Sequence, residues 1–592
     1  LSKQQYFQQR ILNFDRRFAN TPSYVFSAFA CNEKNQLERN IGISFMRGTK
    51  NTATGQYSLN DPYSVLDNMP GTPRYWQQKK YELIARIENL GPFHLFFTLS
   101  CAEKKWTENF TTFLQEHDVK YILENGQEYC TVDGISLDEF LQKEENQSKH
   151  EFIRQNILTT TLNFNHRVEE FMKTIVMNDE GPFCVEYYNY RVEFQLRGAA
   201  HIHGTLWIDF ASLINEMNKV KHNGKVDRKL KTYENLYKEI KDEKLGKIKD
   251  EKLGNKNDEE EIVLIEALVA FTDWFVTCTL KDPSTRQLVL DVNQHKHFNQ
   301  SCLKNGPNCK YKFPRFPCLK TIVAIPSRIK FMADEEKEKE ELERSKLILK
   351  KVKEVLEDEN LMKDAMKIGN EEIETYIMHK DIVQNIDLIL EERSLTDPYP
   401  KHKADKILKA YNEYAEDDIE DLDSVDSDKL KDLKSYHKNL QDTISSQLGG
   451  IEIQRLDYVL KKAQIHIELD TEERIKKYEE ALSLSHKGYT VWLKRDIDET
   501  YINNYNAEWI KSWNGNMDLQ PCEDYFAVIT YVTDYYMKDE SGTVGIMKEV
   551  LQNSPDESLR KKMPLVKNAF LTGRQAGETE VYYKLLPQLH LS

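Results

Sequence analysis

The stretch VEFQLRGAAHIHGTLW, residues 192–207, sets two histidines either side of one isoleucine in an otherwise apolar run. In an extended chain successive side chains point to opposite faces, so His201, His203, Thr205 and Trp207 share one face and Ile202, Leu206 and Ile208 the other. The preceding residues alternate as cleanly: Tyr190, Val192, Phe194 and Leu196 fall on one side, Arg191, Glu193, Gln195 and Arg197 on the other. With Arg-Gly-Ala-Ala as the turn, the spacing predicts a β-hairpin. Pairing its apolar faces brings Glu193 or Gln195 beside His201 and His203. Two imidazole nitrogens and one oxygen around a shared point suit a divalent ion with open coordination positions. The competing reading is a pair of half-buried histidines satisfied by hydrogen bonds.

Upstream of the hairpin, 93–101 is a short apolar run bounded by Gly-Pro and by charges, the pattern of a central strand covered on both faces. Helical patterns are expected at the N-terminus, near 79–89 and over 150–177. Far downstream, EDYFAVITYVTDYYMKDESG, residues 523–542, opens on Asp524 as an N-cap and ends in polar residues. At about 100° per residue, Tyr525, Val528, Ile529, Val532 and Tyr536 form one apolar face. Tyr531, Tyr535 and Lys538 lie together on the neighbouring face. Two tyrosines at i and i+4 approach one point, a phenolic oxygen can form covalent intermediates, and a lysine one turn later can hold a phosphate. Simple packing is the alternative, since the chain has 30 tyrosines.

A third stretch, HKHFNQSCLKNGPNCKYKFPRFPC at 295–318, groups histidines with cysteines. Thiolate with imidazole is the ligand set of structural zinc, and H-x-H-x4-C-x6-C lets His295, His297, Cys302 and Cys309 fold onto one ion. Cys278 is an outside candidate for a ligand. The alternative is a set of reduced cysteines packed in a loop. Lys310, Lys312 and Arg315, interleaved with Tyr311, Phe313 and Phe316, offer charge and stacking surfaces for single-stranded DNA.

At 592 residues the chain exceeds a single core, so two or three domains are expected. Its 97 acidic and 82 basic residues give a net charge of -15, which taken whole argues against a nucleic-acid partner. The average misleads: about 40 acidic and about 25 basic residues lie in 331–480, leaving about 57 of each sign elsewhere. The expected regions are an N-terminal accessory region at 1–90, a first part of the core at 91–330 with the zinc-type segment at 278–318, an acidic helical insert at 331–483, a tyrosine-helix part at 484–545 and a C-terminal segment at 546–592. The tandem DEKLGKIK and DEKLGNKN within 241–258 reads as a solvated loop. Nine cysteines, thinly spread, with no secretory segment and no apolar span of roughly 18 residues, point to a reducing compartment and away from a membrane. Because Leu1 is not Met, a fragment of a longer protein is expected.

Together, the His-hydrophobic-His strand and the downstream tyrosine pair resemble the HUH-type endonucleases, and more narrowly the replication-initiator region of Helitron transposases. FFTLSCAEKKWTENF (96–110) resembles that family's strand followed by Ser-Cys and Trp, and VEFQLRGAAHIHGTLW its metal-binding hairpin. YNAEWIKSWNGNMDLQ (505–520) and YVTDYYMK (531–538) resemble its tyrosine region. QYFQQRILNFDRRF (5–18) is similar to its N-terminal segment and VYYKLLPQLHLS (581–592) to the stretch after the nuclease core. Similar His and Cys residues before a Phe-Pro sequence occur in Helitron proteins. There are two departures. Asp534 stands where a Lys usually precedes the second Tyr, and no G-x-x-x-x-G-K-[ST] occurs, so the helicase domain normally fused downstream is expected in the full-length protein.

The resemblance implies an α+β fold, a central antiparallel sheet flanked by helices, with the histidines on the sheet and the tyrosine helix packed against the metal site. It implies Mg²⁺ or Mn²⁺ held by His201, His203 and a third ligand, with Gln195 favoured over Glu193 by alignment with other initiator hairpins, and structural Zn²⁺ at the His/Cys segment. Tyr531 or Tyr535 would attack single-stranded DNA at transposon ends, leaving a 5′-phosphotyrosine and a free 3′-OH. Tyr535 ranks behind Tyr531 because of Asp534. A rolling-circle replication initiator of a virus or plasmid shares this chemistry, and a domesticated protein would bind DNA ends without cutting. A eukaryotic DNA transposase is expected in the nucleus.

Overall fold

The computed structural model describes, apart from short breaks, residues 2–47, 72–111, 122–136, 146–208, 271–327, 335–391, 401–485, 490–521 and 559–589. The chain divides into two compact units, Leu1–Lys219 with Ser512–Ser592, and Val220–Lys511. The fold is mixed helix and sheet, consistent with the α+β class.

The first unit is built on a four-stranded antiparallel sheet of β1 (Leu95–Ser100), β2 (Val185–Phe194), β3 (Ala200–Ile208) and β4 (Met517–Pro521), in the order β4-β1-β3-β2. The apolar run lies inside the sheet, with Leu95, Phe97 and Leu99 fully buried. The hairpin pairs as its alternation predicts. Val192 stands opposite Ile202 and Phe194 opposite Ala200 on one face, while Glu193 stands opposite His201 and Arg191 opposite His203 on the other. On the apolar face Phe194 meets Tyr583 of the Glu578–Leu585 helix, ring centroids 5.2 Å apart.

The Pro73–Leu90 helix covers part of the histidine face. It starts where the Thr72 hydroxyl accepts the Tyr75 N–H and Pro73 presets the first turn, and it stops at Gly91, whose φ of 82° suits glycine. Its Trp76 packs on Phe96, and its Leu83 packs with Phe93 and Trp207. The regions expected at the two ends of the chain join this same unit. The Pro22–Arg47 helix packs against Leu559–Gly573 and Glu578–Leu585, and the Tyr582 hydroxyl donates to the Ala19 carbonyl at 2.7 Å.

In the second unit, amphipathic helices Glu335–Leu356, Glu359–Lys367, Asn370–Glu391, Ser427–Lys462 and Thr471–Leu482 do not form a separate module. Val352, Val459, Tyr478 and Leu482 share one core with Cys318, Ile322 and Ile497, and the Tyr478 hydroxyl donates to the Pro317 carbonyl at 2.9 Å. The segment 278–318, grouped in the sequence reading with the sheet, therefore lies in this unit. The reason is burial: the apolar stripes of the Glu/Lys-rich helices need a cover, and the stretch around Cys318 and the Ile322–Pro326 strand supplies part of it. Between two of the helices, His379 Nδ1 and His437 Nδ1 lie 2.6 Å apart, both buried. Burial lowers the His379 pKa; burial and then the neighbouring His379 bring His437 down to about 4.

Among the described residues no helix is long and apolar enough to cross a membrane. The tandem duplication and the tyrosine-rich stretch 523–542 lie outside the described residues.

Two predictions follow from this packing. A β-carbon on Gly204 would meet the Phe97 ring and stand 2.9 Å from the Asn189 carbonyl oxygen, whereas one on Gly42, at an exposed position of the Pro22–Arg47 helix, meets nothing within 4 Å. Gly204→Ala should lower stability by about 1–3 kcal/mol and Gly42→Ala should raise it by roughly 0.5–1 kcal/mol, both read from denaturant melts. Equal melts would refute the close Phe97 packing. For His379 and His437 the folded pKa lies below the unfolded one of about 6.5, so the unfolded chain takes up protons first as pH falls. The pair's contribution is intact above about pH 6.5 and is lost toward pH 4. Between pH 7 and pH 5 the wild-type thermal midpoint should fall further than that of the His379→Gln, His437→Gln double variant.

Candidate metal and nucleic-acid site

The sheet's polar face is organised in rows. Ser100 on β1, His201 on β3 and Glu193 on β2 stand directly opposite one another, and Asp518, Thr98, His203 and Arg191 form the next row across all four strands. Within this patch Glu193 Oε2 lies 2.7 Å from His203 Nε2, and the His201 and His203 rings are 4.6 Å apart. Phe96 stacks on His203 at 5.9 Å, and the Ser100 hydroxyl lies 2.8 Å from His201 Nδ1. The Arg191 guanidinium sits on the Trp76 ring, 3.4 Å from its centre. Burial, then the neighbouring His203, holds the His201 pKa well below the ordinary imidazole range. His201 is thus neutral at physiological pH, the state in which a histidine binds metal.

Two imidazoles and a carboxylate are a donor set that can hold a divalent ion with open coordination positions. Gln195, the other oxygen candidate, lies outside the described residues, as do Tyr531, Tyr535, Tyr536 and Lys538. The alternation in 192–207 therefore locates the histidines and Glu193. Ser100 was missed as a site residue. Its signal was present: Thr98 and Ser100 alternate with Phe97 and Leu99 in the apolar run, which puts both hydroxyls on one face.

The second cluster is tighter. The ligand atoms of His295, His297, Cys302 and Cys309 all lie within 4.8 Å of one another, the one such group among the described residues. Cys302 Sγ is 3.5 Å from His297 Nδ1 and Cys309 Sγ is 3.4 Å from His295 Nε2. Zinc–sulfur and zinc–nitrogen bonds of about 2.3 and 2.05 Å at a tetrahedral angle give an S···N edge of about 3.6 Å, so the group fits. Phe313 stacks on His295 at 4.3 Å, and burial, then His297 and Arg315, bring the His295 pKa to about 4. The Phe298 N–H donates to Cys302 Sγ at 3.3 Å. Cys278 is not part of the group. Its thiol donates to the Lys494 carbonyl at 3.2 Å, and burial pushes its pKa up to about 12, so it is a core thiol.

Around this cluster the aromatic residues divide. Phe313 is buried behind His295, and Phe316 packs on Trp492 at 5.5 Å, so neither offers an open stacking face. Tyr311 is 45% exposed with the Lys310 ammonium 5.3 Å from its ring. Arg315 lies 4.8 Å from the Phe313 ring, and Lys312 is exposed at a φ of 64°. Phe298, not singled out by the sequence reading, is 57% exposed. Its position between His297 and Cys302 was the available clue, because a loop bound at both ends to one ligand group has little depth in which to bury a ring.

Residues 32–206 match the family described as Helitron helicase-like domain at N-terminus. That span holds β1, β2 and the histidine strand as far as Leu206, and it marks this segment as Helitron-related, which fits a transposase role on DNA. No curated protein and no solved structure matches the chain.

Proposed function

We propose that this chain nicks single-stranded DNA and transfers strands at the ends of a Helitron-like element. The observation that carries the reading is the convergence of His201, His203 and Glu193 on one face of a sheet, within and beside a Helitron-related segment. Mg²⁺ or Mn²⁺ bound there would polarise a phosphodiester. Glu193 is preferred to Gln195 as third ligand, because it already contacts His203 and a carboxylate suits a hard cation better than an amide. Tyr531 or Tyr535 supplies the nucleophile: its oxygen bonds to phosphorus, the strand's 3′ oxygen leaves and takes a proton, and a 5′-phosphotyrosine results. Lys538 holds the phosphate, and the second tyrosine receives the other end. Lys310, Lys312 and Arg315 with Tyr311 bind the single strand. The partners are transposon ends and the helicase domain of the full-length protein, in the nucleus. The Cys₂His₂ group is a closed four-ligand site for structural zinc.

Labelled single-stranded DNA with Mn²⁺ should give a covalent protein–DNA band on a denaturing gel. Tyr531→Phe with Tyr535→Phe should remove it, and His201→Ala or His203→Ala should abolish nicking with the fold intact. A nucleotide found by mass spectrometry on Tyr536, or on neither Tyr531 nor Tyr535, would overturn the assignment. Glu193→Ala should cut at least tenfold more slowly than Gln195→Ala, on the order expected for loss of a ligand against a neighbour; the reverse ranking makes Gln195 the ligand. For zinc, elemental analysis should find one ion per chain, lost in Cys302→Ser with a lowered thermal midpoint. A zinc-free, equally stable wild-type protein would remove that site.

A further inference from the structure

We propose that Ser100 is a positioning residue that fixes the tautomer of His201, an inference that rests on the metal-site reading of the hairpin. Ser100 ends β1 directly opposite His201. Its backbone is held from both sides: its N–H donates to the Asn516 carbonyl at 2.9 Å, and its carbonyl accepts the Trp513 indole N–H at 3.0 Å. The chain after Trp513 passes so close that a β-carbon on Gly515 would stand 3.1 Å from the Ser100 carbonyl oxygen. With the backbone fixed, the hydroxyl has a defined place, 2.8 Å from His201 Nδ1 and 3.5 Å from Asn516 Oδ1.

A hydroxyl has one proton to give. In the proposed arrangement the Ser100 proton points to the Asn516 amide oxygen, which only accepts, and the Ser100 oxygen accepts from His201 Nδ1–H. That order leaves the lone pair of His201 on Nε2, the nitrogen turned away from Ser100. A ligand histidine whose other nitrogen is tied in this way has a fixed ring orientation and a single available donor. The neighbouring histidine is set differently, through the Glu193 contact at His203 Nε2. Ser100 therefore acts through His201.

The test uses the full chain with its zinc group loaded. Mn²⁺ binding is followed by the electron paramagnetic resonance of the free ion, counting only the site lost in His203→Ala. In parallel, ring ¹⁵N spectra of metal-free protein, with His201 assigned by its loss in His201→Ala, report the tautomer. Ser100→Ala should weaken Mn²⁺ binding by about 10–100-fold, and Ser100→Thr, which keeps the hydroxyl, should stay within about 3-fold of wild type. His201 should be the Nδ1–H form in wild type and Ser100→Thr and should lose that preference in Ser100→Ala. Wild-type Mn²⁺ affinity in Ser100→Ala, or an Nε2–H His201 in the wild type, overturns the proposal. A wild-type chain that binds no Mn²⁺ at the hairpin defeats the metal-site reading instead, and the tautomer spectra then decide the role of Ser100 alone.

Discussion

One strand register determines whether this site exists. Because side chains alternate with a period of two, sliding β2 by a single residue along β3 would send Glu193 to the core and Val192 to the histidine face. The apolar face forbids that slip by burying Val192, Ile202, Leu99 and Phe97. A two-residue slip of β1 against β3 would keep every face but bring Ile202 or Leu206 opposite Phe97. The Phe97 ring already lies where a side chain at position 204 would start, so only glycine fits beneath it. The core side of the sheet thus aligns the polar side, and Ser100 and His201 share a row because Phe97 and Gly204 do.

Much of this was legible in the sequence because it depends on short-range periodicity. The hairpin pairs as the alternation of 190–208 predicts, and the apolar run at 93–101 lies inside the sheet, flanked by β3 and β4. The spacing of 295–309 likewise brings four ligand atoms together. The rest depends on contacts that no local pattern reports. That Met517–Pro521 flanks Leu95–Ser100 is a pairing across most of the chain, and it is what ties Asn516 to Ser100. The Glu/Lys-rich helices show their solvated faces in their composition, but the shared core with Cys318 and Ile322 lies on the faces that composition does not reveal. For the same reason the thiol of Cys278, an outside candidate for a ligand in sequence, is a core group in space.

The connectivity of the sheet explains why a large second unit is tolerated. β3 and β4 are both antiparallel to β1, so they run parallel to each other. A parallel pair cannot be joined by a tight turn and needs a crossover of a dozen residues or more. Here the crossover is residues 209–516, and within it lies a unit with its own buried core. Loop-closure entropy grows only logarithmically with length, so once a long connection is required, lengthening it costs little provided the added chain folds by itself. The second unit has its own aliphatic core and internal ion pairs, such as Lys281 with Asp496 at 3.0 Å.

Both donor groups use a His-x-His sequence, and the residue between the histidines separates their chemistries. Ile202 is fully buried, so His201 and His203 project from a strand whose other face is core, and the donor beside them is the neighbouring strand's Glu193 carboxylate. Lys296 is exposed, so His295 and His297 belong to a surface loop, free to fold toward thiols that arrive several residues later. Oxygen with imidazole leaves a bound divalent ion exchangeable positions, whereas thiolate with imidazole closes a tetrahedron around zinc. In the proposed reading the sheet's third ligand is a carboxylate and the loop's remaining two are thiolates, so two sites that begin from the same His-x-His pattern complete different donor sets.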